Sequence, residues 1–591
     1  MNTSQFMLFD IVNEAIEMPP VKAKSRMFDI PALSFDRVSP GHITSSNFPL
    51  FRLPIELFPH VTNYLSKEDF NNLALVDRDC RRLAGPTRFK EVVVDLASAG
   101  RTVQDQLLLR DELNRRCMRR IDVVACPTEV KSRLTLLTQV MESTNGIQES
   151  SNDYDPVPIC HAISTSFPNL HTLDWDGPSF QAVPMLEVVH KSSIKHLRLN
   201  GSVLGEHIQE SMERVSCQLE SLYFDVSSLP SEQRTLDRFV NHLLRMIAPT
   251  LRQLTWRCKL SDEYVVDPHL RFKNLRYLTL EATSFGNPSI VKSLIGPDTH
   301  IRSLSMDIWT SSAREFLCTR GNVSSLRHLS LLGPIPTHAH YSDFHTFLCA
   351  NPQLETLHLK HPLSQIIIDE KLLPLLSSEF DYLTSLHLVS EESSFPESTL
   401  RAIGSISTLR HLWLSAGNQG FRSSWEVNHD VVRDAFSPLL NLETLAFSHD
   451  TYVTDMHPLA PRFCDYYTAK AWPEKLDISA YLTPEQLLVY RGIASGSGTD
   501  APSFDVAVSQ QLQMRRLAWE KWHRARMLDL AKRYGSSLPS LKWCFVGQLP
   551  FSRGEDDHSV WDFAGCTIPV GREPCLFSLR KKMDMSLWRP V

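Results

Sequence analysis

The sequence predicts an α/β solenoid, with a parallel sheet lining a concave face and helices on the convex face, preceded by a small three-helix unit. Three observations carry this prediction. A short frame, apolar-x-x-Leu-x-apolar, recurs eleven times, in "LHTLDW" (170), "IKHLRL" (194), "LESLYF" (219), "LRQLTW" (251), "LRYLTL" (275), "IRSLSM" (301), "LRHLSL" (326), "LETLHL" (354), "LTSLHL" (383), "LRHLWL" (409) and "LETLAF" (442), at intervals of 24 to 33 residues. Helix-like segments fill the intervals. Ahead of the array, "LPIELFPHVTNYLSKEDFNNLALVDRDCRRLA" (53 to 84) sets apolar side chains at helical spacing with no glycine.

Each frame reads as a short strand. Side chains alternate across a strand, so the fourth and sixth positions enter a continuous core while the third, fifth and seventh line the concave side. Weaker copies stand upstream at "FKEVVV" (89) and "MRRIDV" (118), and one downstream at "LPSLKW" (538). Between frames, "SEQRTLDRFVNHLLRMIAP" (231 to 249) and "SDFHTFLCANP" (342 to 352) carry Ser or Asp at the start and Pro past the end, the punctuation of helices. The array is interrupted at 450–505 by "FCDYYTAKAWPEKL" and the glycine-serine stretch "GIASGSGTDAPS", which reads as a mobile loop. A long helix with Leu512, Leu517, Trp519, Trp522, Met527 and Leu530 follows and is expected to close at Gly535. Its Arg515, Arg516, Lys521, Arg524 and Arg526 read as a solvated outer face. The final "GREPCLFSLRKKMDMSLWRPV" is expected to cap the open end of the core.

Residues 1–46 read as a mostly flexible tail, since the segment turns polar and proline-punctuated from "MPPVKAK" onward; the apolar-acidic "FMLFDIVNEAIE" (6 to 17) reads as a loose docking helix. The unit at 47–88 has too little interior to bury its own apolar surface and asks for a neighbour. Its spacing predicts a first helix through Leu57, Val61 and Leu65, kinked by Pro59, a second helix from Ser66 carrying Phe70, Leu73, Leu75 and Val76, and a third holding Cys80 and Leu83.

These residues resemble the F-box: Leu-Pro, an acidic residue, a helix ending in Tyr-Leu, an Asp-Leu-type second helix and a Val-Ser-Arg-like third, with Cys80 where many members carry Trp. The repeats from about residue 89 to the end resemble the leucine-rich repeat family, in the irregular form found in intracellular adaptors. An F-box followed by such repeats resembles the substrate receptor of a Skp-cullin-F-box ubiquitin ligase. The resemblance implies that the F-box docks on the Skp adaptor, and through it on cullin, through Leu53, Pro54, Glu56, Leu57, Val61, Leu65, Val76 and Cys80, with Tyr64, Leu65, Leu73 and Leu75 the more internal set. The repeats would hold an unknown protein target. The alternative is a non-degradative repeat scaffold whose F-box is weakened or a relic.

The strand phase then supplies candidate target-binding residues. His328, His358, His387, His411 and Trp413 fall on the concave side of the later repeats, and Tyr223, Arg257 and Tyr277 on the earlier ones. Asp174, Asp176, Asp225, Glu281 and Asp307 fall on the same face, which predicts steering of a basic target segment. No conspicuous arginine cluster of the kind that grips phosphate is seen there, which argues against a phosphorylated target.

Composition bounds the rest. A net charge of -6 over 591 residues gives no broad basic field, so nucleic acid is disfavoured. No apolar run reaches the roughly 18 residues of a membrane helix, so no membrane partner is expected. Twelve cysteines without a CxxC pair suit free thiols in a reducing compartment, hence an intracellular protein of the cytoplasm, the nucleus or both. None of the motifs GxSxG, HExxH or GxxxxGK occurs; no catalytic residue, cofactor or metal is assigned and no enzymatic activity is expected. The histidines of "THAHYSDFH" (337 to 345) read as a loop leading into a helix capped by Ser342 or Asp343.

Overall fold

The structure is a computed structural model and describes residues 32–38, 46–54, 57–62, 64–95, 112–124, 157–205, 217–227, 233–257, 267, 269–280, 289–296, 299–306, 315–317, 321–332, 338–416, 425–448, 450–451, 477–491, 504–547, 549–554 and 561–563. The chain forms two compact units, the first spanning Met18–Ile301 with Thr310–Phe316, the second containing Arg302–Trp309 and Leu317–Val591.

In the first unit, strands β1 (Glu91–Asp95), β2 (Arg120–Val124), β3 (Thr172–Gln181), β4 (His196–Leu204), β5 (Ser221–Ser227), β6 (Gln253–Trp256) and β7 (Tyr277–Leu280) pair in chain order, all parallel. The register follows the frame, because Val92, Ile121, Leu173, Leu197, Leu222, Leu254 and Leu278 stand opposite one another. The two upstream copies therefore are repeats. At each step the carbonyl of the frame's second residue accepts two N–H groups from the next repeat, as Arg119 O does from His171 and Thr172 at 2.9 and 3.0 Å. Convex helices cover the other side. The longest of the unit, Gln233–Ile247, buries Leu236, Phe239, Val240, Leu243, Leu244 and Ile247, one stripe of an amphipathic helix.

The unit at 53–88 is built of helices Phe58–Thr62, Lys67–Val76 and Arg78–Arg88. The first begins at Phe58, later than the sequence spacing predicts, so Pro59 lies in the opening turn, where an N–H has no intrahelical partner to lose. At that position the proline removes no helical hydrogen bond, so no kink is required of it. The second opens on a capping box, with Ser66 and Asp69 each bonding the other's backbone N–H. The third is capped by Asp77, whose Oδ1 accepts from Cys80 N at 2.7 Å. Phe58 and Leu83 pack with Leu50 and Phe51; Phe70, Ala74 and Ala84 pack with Leu65; Leu73 touches both groups.

The ordered structure starts earlier than the expected boundary at 46. Helix Phe35–Val38 packs on Arg78–Arg88 and on helix Glu112–Cys117, with Val38 buried. Ser46 donates its N–H to Asp79 Oδ2 at 2.9 Å and its hydroxyl to Asp77. The "FMLFDIVNEAIE" segment lies outside the described residues.

In the second unit, β8 (Ser303–Met306), β9 (His328–Leu331), β10 (Thr356–Leu359), β11 (Ser385–Ser390), β12 (His411–Ala416), β14 (Thr444–Ser448) and β16 (Trp543–Val546) form the same parallel ladder, while the short β13 (Trp425–Glu426) and β15 (Asp450–Thr451) pair apart from it. Leu304, Leu329, Leu357, Leu386, Leu412 and Leu445 share the register, and Cys544 ends the row. The last repeat frame is therefore "LKWCFV", three residues beyond the "LPSLKW" expected. Asn351, fully buried, holds a turn of this unit: its Oδ1 accepts from Val323 N at 2.8 Å, and its amide donates to Gly321 O and Phe347 O.

The stretch "THAHYSDFH" is itself helical, since the helix runs His338–Cys349 and takes in the histidines that were expected to precede it. Part of the expected 450–505 loop is also ordered: Thr483 and Gln486 form a capping box on helix Pro484–Tyr490, which packs against the long helix Phe504–Ser537. "FCDYYTAKAWPEKL" and "GIASGSGTDAPS" lie outside the described residues. The long helix buries Trp519, His523, Met527, Ala531 and Tyr534, a stripe at three- and four-residue spacing that takes in a histidine and a tyrosine, while Arg515, Lys521, Arg524 and Arg526 are exposed. Gly535 does not end this helix. A Cβ there would lie 2.6 Å from Trp561 Nε1, so the glycine admits the indole. After β16 the chain turns back through the antiparallel β17 (Leu549–Arg553) and β18 (Trp561–Phe563), which continue the sheet past its last parallel strand. The segment expected to form the cap, 571–591, lies outside the described residues.

Candidate functional site

Three surfaces carry the candidate residues. On the first unit's concave face, the third, fifth and seventh frame positions of neighbouring strands build a line of alternating charge. Arg120 Nε donates to Asp122 Oδ1 at 2.6 Å, and its Nη2 to Asp174 Oδ2 at 3.4 Å; Arg198 Nε lies 3.7 Å from Asp174 Oδ1. Asn200 donates to Asp176 Oδ1 at 2.6 Å. Arg257 lies 3.8 Å from Asp225. The Arg198 and Arg257 guanidinium carbons stand 4.6 and 5.7 Å from the centre of the Tyr223 ring, within cation–π range. Tyr223 and Tyr277 are half-buried.

The acidic patch expected here is thus not a bare one. Asp174 is almost wholly buried between two arginines, and Asp225 faces a third. Such pairing weakens the negative field that would have steered a basic segment. Asp307 and Glu281 lie outside the described residues. Arg120 and Arg198 went unnoticed in the sequence although the same phase places them, at the third position of "MRRIDV" and the fifth of "IKHLRL". Together with Arg257 they are the arginine group that face was expected to lack.

The second unit's concave side is different. His387 stacks on Trp413 with ring centres 3.8 Å apart and planes 2° from parallel, and His358 meets His387 edge-on at 5.9 Å. His358 shares a hydrogen bond with Ser385 Oγ at 3.0 Å, as His328 does with Thr356 Oγ1 at 3.0 Å. Trp413 in turn packs against Ala446, Trp543 and Phe545. His358 and His387 are buried and their solvent-facing assignment is corrected; His328, His411 and Trp413 are half-buried. Burial, with Lys360, His328 and His411 nearby, pushes the His358 imidazole down to about 3, and burial beside His358 and Lys360 holds His387 well below its ordinary value. Both rings are neutral at pH 7, and they fill the sheet's surface as packing.

The third surface belongs to residues 53–76. Of nine large apolar side chains left exposed among the described residues, five fall here: Leu53 (39%), Leu57 (43%), Tyr64 (90%), Leu75 (83%) and Val76 (54%). Pro54 is exposed, Val61 and Leu65 are half-buried, and Glu56 lies outside the described residues. Tyr64 and Leu75, expected inside, point outward, because Phe58, Phe70 and Ala74 already fill the small core. Cys80, in the first turn of the third helix, is completely buried and cannot meet a partner. Burial beside Asp77 and Asp79 pushes its thiol up to about 12.

No helix among the described residues is long and apolar enough to cross a membrane, and no group of three or more His, Cys, Asp or Glu among them could hold a metal ion. No family model matches the chain, and no curated protein matches it. Among solved structures, a leucine-rich repeat protein of Leptospira interrogans is similar at 15% identity and a TM-score of 0.27, over 58% of this chain and 86% of that one. A chain of a TLR13–ssRNA13 complex is similar at 16% identity and a TM-score of 0.27, over 49% of this chain and 51% of that one. The repeat fold rests on the strand ladder described above, independently of these likenesses.

Proposed function

We propose that the chain is a protein-binding repeat scaffold serving as the substrate-recognition subunit of a Skp-cullin-F-box ubiquitin ligase, its helical unit docking on the Skp adaptor and its repeats capturing a protein target. The observation that carries the reading is the apolar surface at Leu53, Leu57, Tyr64, Leu75 and Val76. Five large apolar side chains left exposed on so small a helical unit mark an interaction site, and the unit's sequence resembles the adaptor-docking helices of the F-box. The start of the first helix at Phe58 supports the reading, since it removes the backbone cost that Pro59 would otherwise impose.

The experiment is affinity capture of the full chain and of a Leu53→Ala, Leu57→Ala, Val76→Ala variant. All three side chains are exposed, so the fold should persist, while truncated anchors typically cost about 2 kcal/mol each or more in binding. Recovery of the Skp adaptor and a cullin with the parent chain and not with the variant supports the proposal. Equal recovery from both, or recovery of neither, refutes it.

A further inference from the structure

Arg198 is the side chain for which the fold supplies least. Among the described residues its guanidinium makes no hydrogen bond: its Nε is buried without a partner, its one ion pair, to Asp174, is 3.7 Å long, and its remaining contact is the face of Tyr223 at 4.6 Å. A guanidinium offers five N–H donors in a planar fork, and one left unbonded in a partly buried place is costly unless something arrives to accept from it. Arg120, two strands away, shows what satisfaction looks like here, with hydrogen bonds to Asp122 and Asp174 at 2.6 and 3.4 Å.

The side chain is 26% exposed, and contact with an aromatic ring steadies a guanidinium without using its N–H donors. Arg257, 36% exposed, also lies over the same ring, at 5.7 Å. We infer that Arg198, held over the Tyr223 ring and assisted by Arg257, is an anion receptor on the concave face of the first unit, taking the carboxylate of a Glu or Asp side chain on an extended target segment. The nearby Asp174, Asp176 and Asp225 set the class of anion. They repel a doubly charged phosphate more than a singly charged carboxylate, and the planar carboxylate matches the fork in a bidentate pair. This reverses the polarity that a count of the aspartates alone suggests.

The inference deepens the proposed function by naming what the repeats would grip, and rests on the repeats being the target-binding part. The test is fluorescence anisotropy of the full chain with a labelled hexaglutamate peptide, a serine-phosphorylated peptide and hexalysine. Arg198→Met should weaken hexaglutamate binding by about tenfold or more, as expected for loss of a charge-assisted hydrogen-bond pair. Arg198→Lys keeps the charge without the fork; it should also bind more weakly, and it serves as the variant of record if the methionine chain melts early. Hexaglutamate affinity should fall as salt rises, and hexalysine should show no Arg198 dependence. Absence of hexaglutamate binding, or equal binding by parent and variants, overturns the inference; tighter binding of the phosphopeptide overturns the carboxylate assignment. Co-purification of the Skp adaptor does not involve Arg198, so its loss or retention reports separately on the ligase reading.

Discussion

The buried histidine pair makes the second unit sensitive to acid in a way that can be calculated. In the unfolded chain His358 and His387 titrate near 6.5; in the fold both are held well below that by burial, His358 at about 3. A depressed folded value means that the fold binds the neutral ring. Stability is then fully present above about pH 6.5 and is lost as the pH falls from there toward the folded value. At pH 5, which lies about 1.5 units below the unfolded midpoint and above the folded value of His358, that histidine costs about 2 kcal/mol at about 1.4 kcal/mol per unit, and His387 adds a cost of the same sign. The perturbation is His387→Phe, which retains a flat ring over Trp413 and removes one titrating group; its two nitrogens have no hydrogen-bond partner to lose. Urea unfolding followed at pH 8 and pH 5 should show parent stability falling more steeply than the variant's, while the loss of about 2 kcal/mol from His358 remains in both. Identical losses in the two chains would refute the argument, because the neutral, buried state of His387 would then contribute nothing to the pH dependence.

Two glycines give further checks. A Cβ at Gly404 would lie 2.0 Å from Ala435 O, between the convex helices Glu397–Gly404 and His429–Phe436, so Gly404→Ala should destabilise the second unit by about 1–3 kcal/mol, read as a lowered denaturation midpoint. Gly535→Ala should push Trp561 from its seat on the long helix and shift tryptophan fluorescence to the red. Removing residues 32–46 should lower the melting temperature of the first unit, since Val38 is buried and Ser46 binds Asp77 and Asp79; unchanged melting would restore the flexible-tail reading.

The periodicity of the sequence alone determined the strand frame, the parallel ladder and the helical nature of 53–88, because burial of one strand face forces an apolar residue at every fourth and sixth frame position, whatever the other positions hold. The frame also placed Tyr223, Asp225 and Arg257 on one face correctly. What it could not decide was which concave residues meet solvent. His358 and His387 occupy the same frame position as Tyr223 yet are buried, because Trp413 stacks over one of them and the strand spacing brings the rings into contact. Asp174 shares the aspartates' sign but is neutralised by Arg120 and Arg198 from strands 54 and 24 residues away in the chain. Helix spacing could not tell Leu73 from Leu75, since only the packing of Phe58 and Phe70 settles which side is full. Periodicity is a local property and selects the face; exposure and charge balance depend on residues distant in sequence, and only the folded chain brings those together.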